Sequence, residues 1–333
     1  MESVRWGIIG CGNVTEVKSG PGFQKAAGSS LAAVMRRDRA KAEDYARRHG
    51  APRAYDDADE LIRDPDVDAV YIATPPASHL GLALRVAVAG KPCLVEKPMA
   101  MTHGECVRMN EAFRAAGVPL FVAYYRRALP RFLEVRRQIE AGAIGPATDV
   151  HIRIAEPLAA GDAASGWRFD PAVAGAGLFY DLASHCLDLV DFLLGPIEEA
   201  AGVAVNTGGA YAAEDVTCGA FRFVRGALGT GTWNFNADRS EDWMVLTGPL
   251  GELRTPVFTD GDVVITRGAQ QEVLPLRNPP HVHQPLIQTI VDELRGRGRC
   301  DSTGESGARA SWVMDRLLES YRRGAAASRT QRL

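Results

Sequence analysis

Short apolar runs alternate with amphipathic stretches through the first third of the chain. Residues 4 to 9 form an apolar run that ends in Gly10-Cys11-Gly12-Asn13-Val14-Thr15, the pattern of a strand, a tight turn and a helix. A second apolar run, 30 to 35, follows one helix length later and stops at Arg36-Arg37-Asp38, which completes a βαβ unit. The polar stretch 39 to 49 predicts a helix, and 69 to 73 a strand ending in Thr74-Pro75-Pro76. Then come a helix over 79 to 90, a strand over 92 to 95 ending at Glu96-Lys97-Pro98, a helix over 102 to 117 and a strand over 119 to 124. Strand and helix repeated with short links predict a doubly wound parallel sheet covered on both faces.

The rhythm changes near residue 127. A helix over 129 to 142 and a strand near 147 to 156 lead into a Gly/Ala/Asp-rich loop, then an amphipathic helix over 178 to 194. Runs at 200 to 206, 214 to 225, 227 to 236, 242 to 248 and 262 to 266 are joined by Gly, Asp and Pro turns and predict an open, largely antiparallel sheet. Helices over 284 to 295 and 304 to 323 close the chain. The expected class is α/β, with a dinucleotide-binding domain at 1–126 and a C-terminal α+β domain at 127–324. With 333 residues, the chain is long enough for two full cores.

Composition narrows the partners. A formal charge of −3, from 38 basic and 41 acidic residues, leaves no electrostatic footprint for nucleic acid or an anionic membrane. No apolar run reaches the roughly 18 residues of a membrane span. The six cysteines show no CxxC and no metal-ligand spacing, the usage of reduced thiols, so a cytoplasmic protein is expected. His281 and His283 lack a third ligand at suitable spacing, and no metal is expected.

The candidate chemistry lies at strand ends. Gly10 and Gly12, with Asn13 and Val14, would let a pyrophosphate approach backbone N–H groups at a helix start. Thr15 replaces the usual third glycine and is expected to loosen strand-helix packing slightly. Where NAD-binding folds carry an acidic residue after the second strand, this chain has Arg36 and Arg37, which favours the 2′-phosphate of NADP over NAD; Asp38 could still serve a ribose. Lys97 ends a predicted parallel strand, where such sheets bind ligands, and could exchange a proton with a substrate hydroxyl. Asp181 and His185, four apart on one helix face, form a carboxylate-imidazole pair suited to acid-base work, with Asp188 three further on.

Four motifs in order, 7 to 14, 74 to 79, 96 to 98 and 175 to 188, resemble the glucose-fructose oxidoreductase / inositol dehydrogenase / rhizopine catabolism (Gfo/Idh/MocA) family over nearly the whole chain. The resemblance implies hydride transfer between a nicotinamide cofactor and a sugar, cyclitol or related hydroxyl or keto compound. It implies Lys97 and His185 as the acid-base pair with Asp181 beside them. Thr74, Pro75, His79 and Glu96 would line the nicotinamide side, with Tyr124 and the Trp167-Arg168 pair as further cofactor contacts. For the C-terminal domain it implies substrate binding and self-association, with a homodimer or homotetramer as the assembly. Two alternatives stay open: a non-catalytic cofactor or sugar sensor of the same fold, and a relative that cleaves glycosidic bonds or oxidises dihydrodiols.

Overall fold

The computed structural model describes residues 2–158 and 166–330. The chain forms two compact units: Met1–Leu129 with Pro279–Ala308, and Pro130–Asn278 with Arg309–Leu333. A single cut at 126/127 therefore does not describe the division, because a segment of about thirty residues late in the chain packs with the first unit. Residues 159–165, part of the Gly/Ala/Asp-rich loop, lie outside the described residues.

In the first unit, strands β1 (Val4–Ile9), β2 (Ser29–Met35), β3 (Arg53–Tyr55), β4 (Ala69–Ile72), β5 (Cys93–Val95) and β6 (Leu120–Val122) pair in the order β3-β2-β1-β4-β5-β6. Every pairing is parallel. The helices are α1 (Asn13–Val17), α2 (Gly20–Lys25), α3 (Arg39–His49), α4 (Ala58–Arg63), α5 (His79–Val88) and α6 (His103–Ala116), joined by the helix Gln284–Leu294 of the late segment. Helices cover both faces of a parallel sheet, so its central strands are mostly apolar, and β4 and β5 have every residue buried. At the β6 edge a later segment supplies partners: Val122 N–H donates to Ser302 O (3.2 Å), Ser302 Oγ donates to Val122 O (2.7 Å), and Phe121 bridges Thr303.

In the second unit, β7 (Asp149–Ala155), β8 (Ile197–Val205), β9 (Val216–Phe223), β10 (Leu228–Asn234), β11 (Glu241–Gly248), β12 (Gly251–Thr255), β13 (Val263–Arg267) and β14 (Gln270–Leu274) form one sheet. Its order is β14-β13-β12-β11-β7-β10-β9-β8, with β7 and β10 parallel and all other neighbours antiparallel. Helices α7 (Pro130–Glu140), α8 (Pro171–Ala174) and α9 (Leu178–Leu194) and the last helix, Gly304–Thr330, accompany it. The last helix packs against the sheet's inner face: a Cβ on Gly202 would lie 2.7 Å from the backbone oxygen of Leu317, a close approach that glycine permits. On the outer face β8 and β10 leave Val203 and Leu228 exposed.

Candidate active site

Because all six strands of the first unit run parallel, their carboxyl ends share one edge, and the winding reverses between β1 and β4. That reversal is where open α/β sheets bind ligands. The chain places Gly10 to Val14 after β1, Arg36 and Arg37 after β2, Thr74 and Pro75 after β4, Glu96 and Lys97 after β5, and Tyr124 after β6.

The turn after β1 is built for close approach. Gly10 has φ +91°, and a Cβ there would lie 2.6 Å from Thr74 Cγ2. Gly10 and Cys11 both donate their N–H to Met35 O, at 2.9 and 3.3 Å, which ties the turn to the end of β2. A Cβ on Gly12 would meet nothing closer than Gly10 O at 3.9 Å, so the turn is open on that side. Burial pushes the Cys11 thiol up to about 11, so it fills space there as a neutral group.

Thr15 does not loosen the packing. Its buried hydroxyl accepts the Gly12 N–H (2.9 Å) and donates to Gly12 O (2.8 Å), closing the turn on itself. A close contact nearby joins α1 to α2 at Gly20, where a Cβ would come within 2.0 Å of Thr15 O.

Arg36 is half-buried and its Nη1 donates to Cys11 O at 3.3 Å, which holds the guanidinium beside the glycine turn; Arg37 is exposed. Asp38 instead caps α3: it accepts the Lys41 N–H (3.2 Å) and pairs with Lys41 Nζ (3.2 Å), contacts that hold its carboxyl below the usual range.

His79 and Glu96 turn inward. The His79 ring is fully buried, with Nε2 2.7 Å from Thr74 O and Nδ1 3.1 and 3.2 Å from Pro98 O and Met99 O. Burial lowers its pKa and keeps the ring neutral. With no exposed surface, His79 braces the loop after β4 against the loop after β5, where the Lys97-Pro98 peptide is cis, and does not line a ligand directly. The Glu96 carboxylate accepts from the buried Tyr71 hydroxyl and, at 3.1 Å, from the Lys97 N–H. Lys97 itself is half-exposed, and the Tyr124 side chain is fully buried.

The second unit gathers the remaining residues on and around α9. Asp181 and His185 lie one helical turn apart. Asp181 Oδ2 accepts from Arg168 Nε at 3.2 Å, and the Arg168 guanidinium stacks 4.6 Å from the Trp167 ring centroid. The pair expected only as a cofactor contact is thus also the ion partner of Asp181. The buried His185 ring meets Phe258 edge-on, centroids 6.1 Å apart. Phe258 stands in a loop whose N–H groups at Val257, Phe258 and Thr259 converge on the Asp242 carboxylate at 2.8, 2.9 and 2.7 Å. Buried Arg131 donates to Thr259 O and Gly261 O (2.8 and 3.3 Å). At the start of α9 the Gly177 N–H donates to Glu214 Oε1 (3.0 Å), and burial raises the Glu214 pKa. None of Phe258, Asp242, Arg131 or Glu214 carries a local motif; each matters through a partner far along the chain.

Lys97 belongs to the first unit and Asp181 and His185 to the second, so each half of the expected acid-base set is defined within its own unit. Among the described residues no cluster of three or more His, Cys, Asp or Glu could hold a metal ion, and no helix is long and apolar enough to cross a membrane.

A parallel sheet wound in this order, with a glycine turn at its reversal point, defines a Rossmann fold of the dinucleotide-binding kind. The chain belongs to the GFO/IDH/MocA family: residues 4–124 match its oxidoreductase domain with an NAD-binding Rossmann fold, and residues 132–254 its C-terminal domain. It is 36% identical to oxidoreductase P35 of Formosa agariphila over 95% of this chain and 98% of the relative. It is 28% identical to the 1,5-anhydro-D-fructose reductase of Ensifer adhaerens, over 91% and 92%. The solved structure of a levoglucosan dehydrogenase in complex with NADH and levoglucosan shares the fold, with a TM-score of 0.85 at 22% identity over 96% and 97% of the two chains.

Proposed function

We propose that this oxidoreductase is a dehydrogenase or reductase that prefers NADP(H) to NAD(H) and acts on a CH–OH carbon of a sugar, cyclitol or polyol, or on the matching keto compound. The observation that carries the cofactor reading is the Arg36 guanidinium beside the open glycine turn. The residues fit the group: a Cβ at Gly10 would close the turn onto Thr74, and Gly12 leaves room for a pyrophosphate on backbone N–H groups near Asn13 and Val14. Arg36 and Arg37 would take the 2′-phosphate, where a bidentate guanidinium is worth more than a ribose hydroxyl contact. Thr74, Pro75, Trp167 and Arg168 complete the cofactor set, with the buried His79, Glu96 and Tyr124 acting through the loops they belong to. When bound, the nicotinamide supplies or accepts the hydride.

This chain's own part is the proton. Lys97 and His185 exchange it with the substrate oxygen, and a cationic Lys97 favours a developing alkoxide in either direction. Asp181, with its charge shared by Arg168, orients the set. The sugar class is supported by the names of the anhydrofructose reductase and the levoglucosan dehydrogenase above. The exposed Val203 and Leu228 on the outer sheet face support a homodimer or homotetramer, and six cysteines free of disulfides support a cytoplasmic setting.

Fluorescence titration with NADPH and NADH, followed by a panel of sugars, cyclitols and their keto forms, tests the reading. Arg36→Glu should weaken NADPH by about 1.5–3 kcal/mol, roughly 10- to 100-fold in Kd, and leave NADH nearly unchanged. Equal loss for both cofactors would remove the 2′-phosphate role, and binding without turnover on any panel member would count against a sugar or polyol substrate.

A further inference from the structure

We propose that Tyr71 is a positioning residue: with Ser19 and Glu96 it forms a buried polar link that holds the Lys97 backbone to the helix following the glycine turn. The proposal rests on the reading of Lys97 as a proton-exchanging residue.

The link can be followed atom by atom through the first unit. Val14 O, in the second residue of α1, accepts the Ser19 N–H at 3.0 Å, which leaves the Ser19 hydroxyl hydrogen to donate to the Tyr71 oxygen. Ser19 Oγ lies 3.1 Å from the Tyr71 hydroxyl. Tyr71 donates to Glu96 Oε1, and Glu96 Oε2 accepts the Lys97 N–H at 3.1 Å. Ser19 and Tyr71 have no exposed surface and Glu96 almost none. A hydrogen bond to a carboxylate in such surroundings is among the stronger kinds, and a carboxylate stripped of its donors there is costly. Burial and the neighbouring Glu96 charge raise the Tyr71 pKa far above its ordinary value, so the phenol keeps its proton at any working pH.

The consequence is geometric. Lys97 stands on a loop, where a side chain is only as well aimed as its backbone is fixed. One branch of the link fixes the peptide N–H of Lys97, and the other reaches the carbonyl of Val14 in the glycine-turn segment. The two parts of the site that must agree in position are therefore joined through the sheet interior, by the one polar side chain of β4. Glu96, expected to line the cofactor, takes its place in this support. Tyr71→Phe removes the hydroxyl alone and keeps the ring that packs on Phe23 with centroids 5.0 Å apart, so the fold should survive.

The experiment compares full-length wild type, Tyr71→Phe and Glu96→Gln, each with NADPH bound. It reads amide hydrogen exchange at Lys97, NADPH affinity, and kcat and KM on a substrate found by the panel above. In Tyr71→Phe the Lys97 amide should exchange about tenfold faster or more, and kcat should fall roughly tenfold with KM and NADPH Kd within about twofold, as a misaimed group costs rate more than binding. Glu96→Gln should give the same pattern, and Tyr71→Phe added to it should cost little more, because the two act through one link. Unchanged exchange at Lys97 overturns the link. Faster exchange with unchanged kcat overturns the positioning role, and an equal loss of NADPH binding reduces Tyr71 to a general structural residue. If wild type turns over nothing, the proton role of Lys97 fails, while the exchange result still decides whether the link exists.

Discussion

Replacing His283 should flatten the acid side of the stability profile. His283 caps the helix Gln284–Leu294, is 2% exposed, and stacks on Tyr125 with ring centroids 4.3 Å apart. Burial, and then the positive charges of Lys18, Lys97 and Arg126, lower its pKa from 6.5 to about 3. As pH falls through 6.5 the unfolded chain takes up a proton at this ring, while the folded chain stays neutral down to about 3. The contribution is thus fully present above the unfolded pKa and is lost on acidification, by up to about 1.4 kcal/mol per pH unit. Between pH 6.5 and about 5 the loss attributable to His283 is roughly 2 kcal/mol. Urea unfolding of wild type and His283→Gln across that window measures it. The variant loses ring stacking at every pH, a constant offset, and it should also lose this part of the slope. His79, likewise lowered by burial, and Glu214, raised by burial and opposite in sign, are present in both proteins and cancel from the difference. Two curves separated by a constant offset would refute the reasoning.

His185→Ala should cut turnover by about 10²- to 10⁴-fold, the usual range for a general acid-base group, with NADPH Kd within about twofold; undiminished turnover in steady-state assays would take His185 out of the proton step. Gly10→Ala should lower stability by about 1–3 kcal/mol and weaken NADPH as well, because a side chain at φ +91° is strained and its Cβ meets Thr74; an unchanged melting curve would show that the turn relaxes freely.

The parallel half of the fold was legible because most of its strands are short apolar runs bounded by polar or turn residues. The expected strand at 4 to 9 and the helix at 178 to 194 match β1 and α9 end for end. Elements with a weak apolar signal were not visible. β3 is three residues, and β14 is Gln-Gln-Glu-Val-Leu with most positions exposed, as an edge strand can be. Nothing local marks the return of residues 279–308 to the first unit, since it is held by bonds spanning more than a hundred residues, such as Ser302 to Val122. Within the site, the residue types at strand ends were readable, and their partners were not. The glycine turn and Arg36 stand where expected. The Arg168 pairing with Asp181, the Asp242 loop beneath Phe258 and the Thr15 closure depend on side-chain directions that periodicity does not encode.

The cover that Ser302 and Thr303 give to β6 also sets a schedule. Those residues lie 180 positions beyond Val122, so a ribosome adding about 5–20 residues per second delivers them roughly ten to forty seconds after β6 has been made. Throughout that interval a growing chain whose first sheet has already formed presents Phe121 and Val122 as an unpaired rim, open to a neighbouring nascent chain on the same message. The same bare rim would belong to any truncated product that stops after the parallel sheet and lacks the segment that covers it.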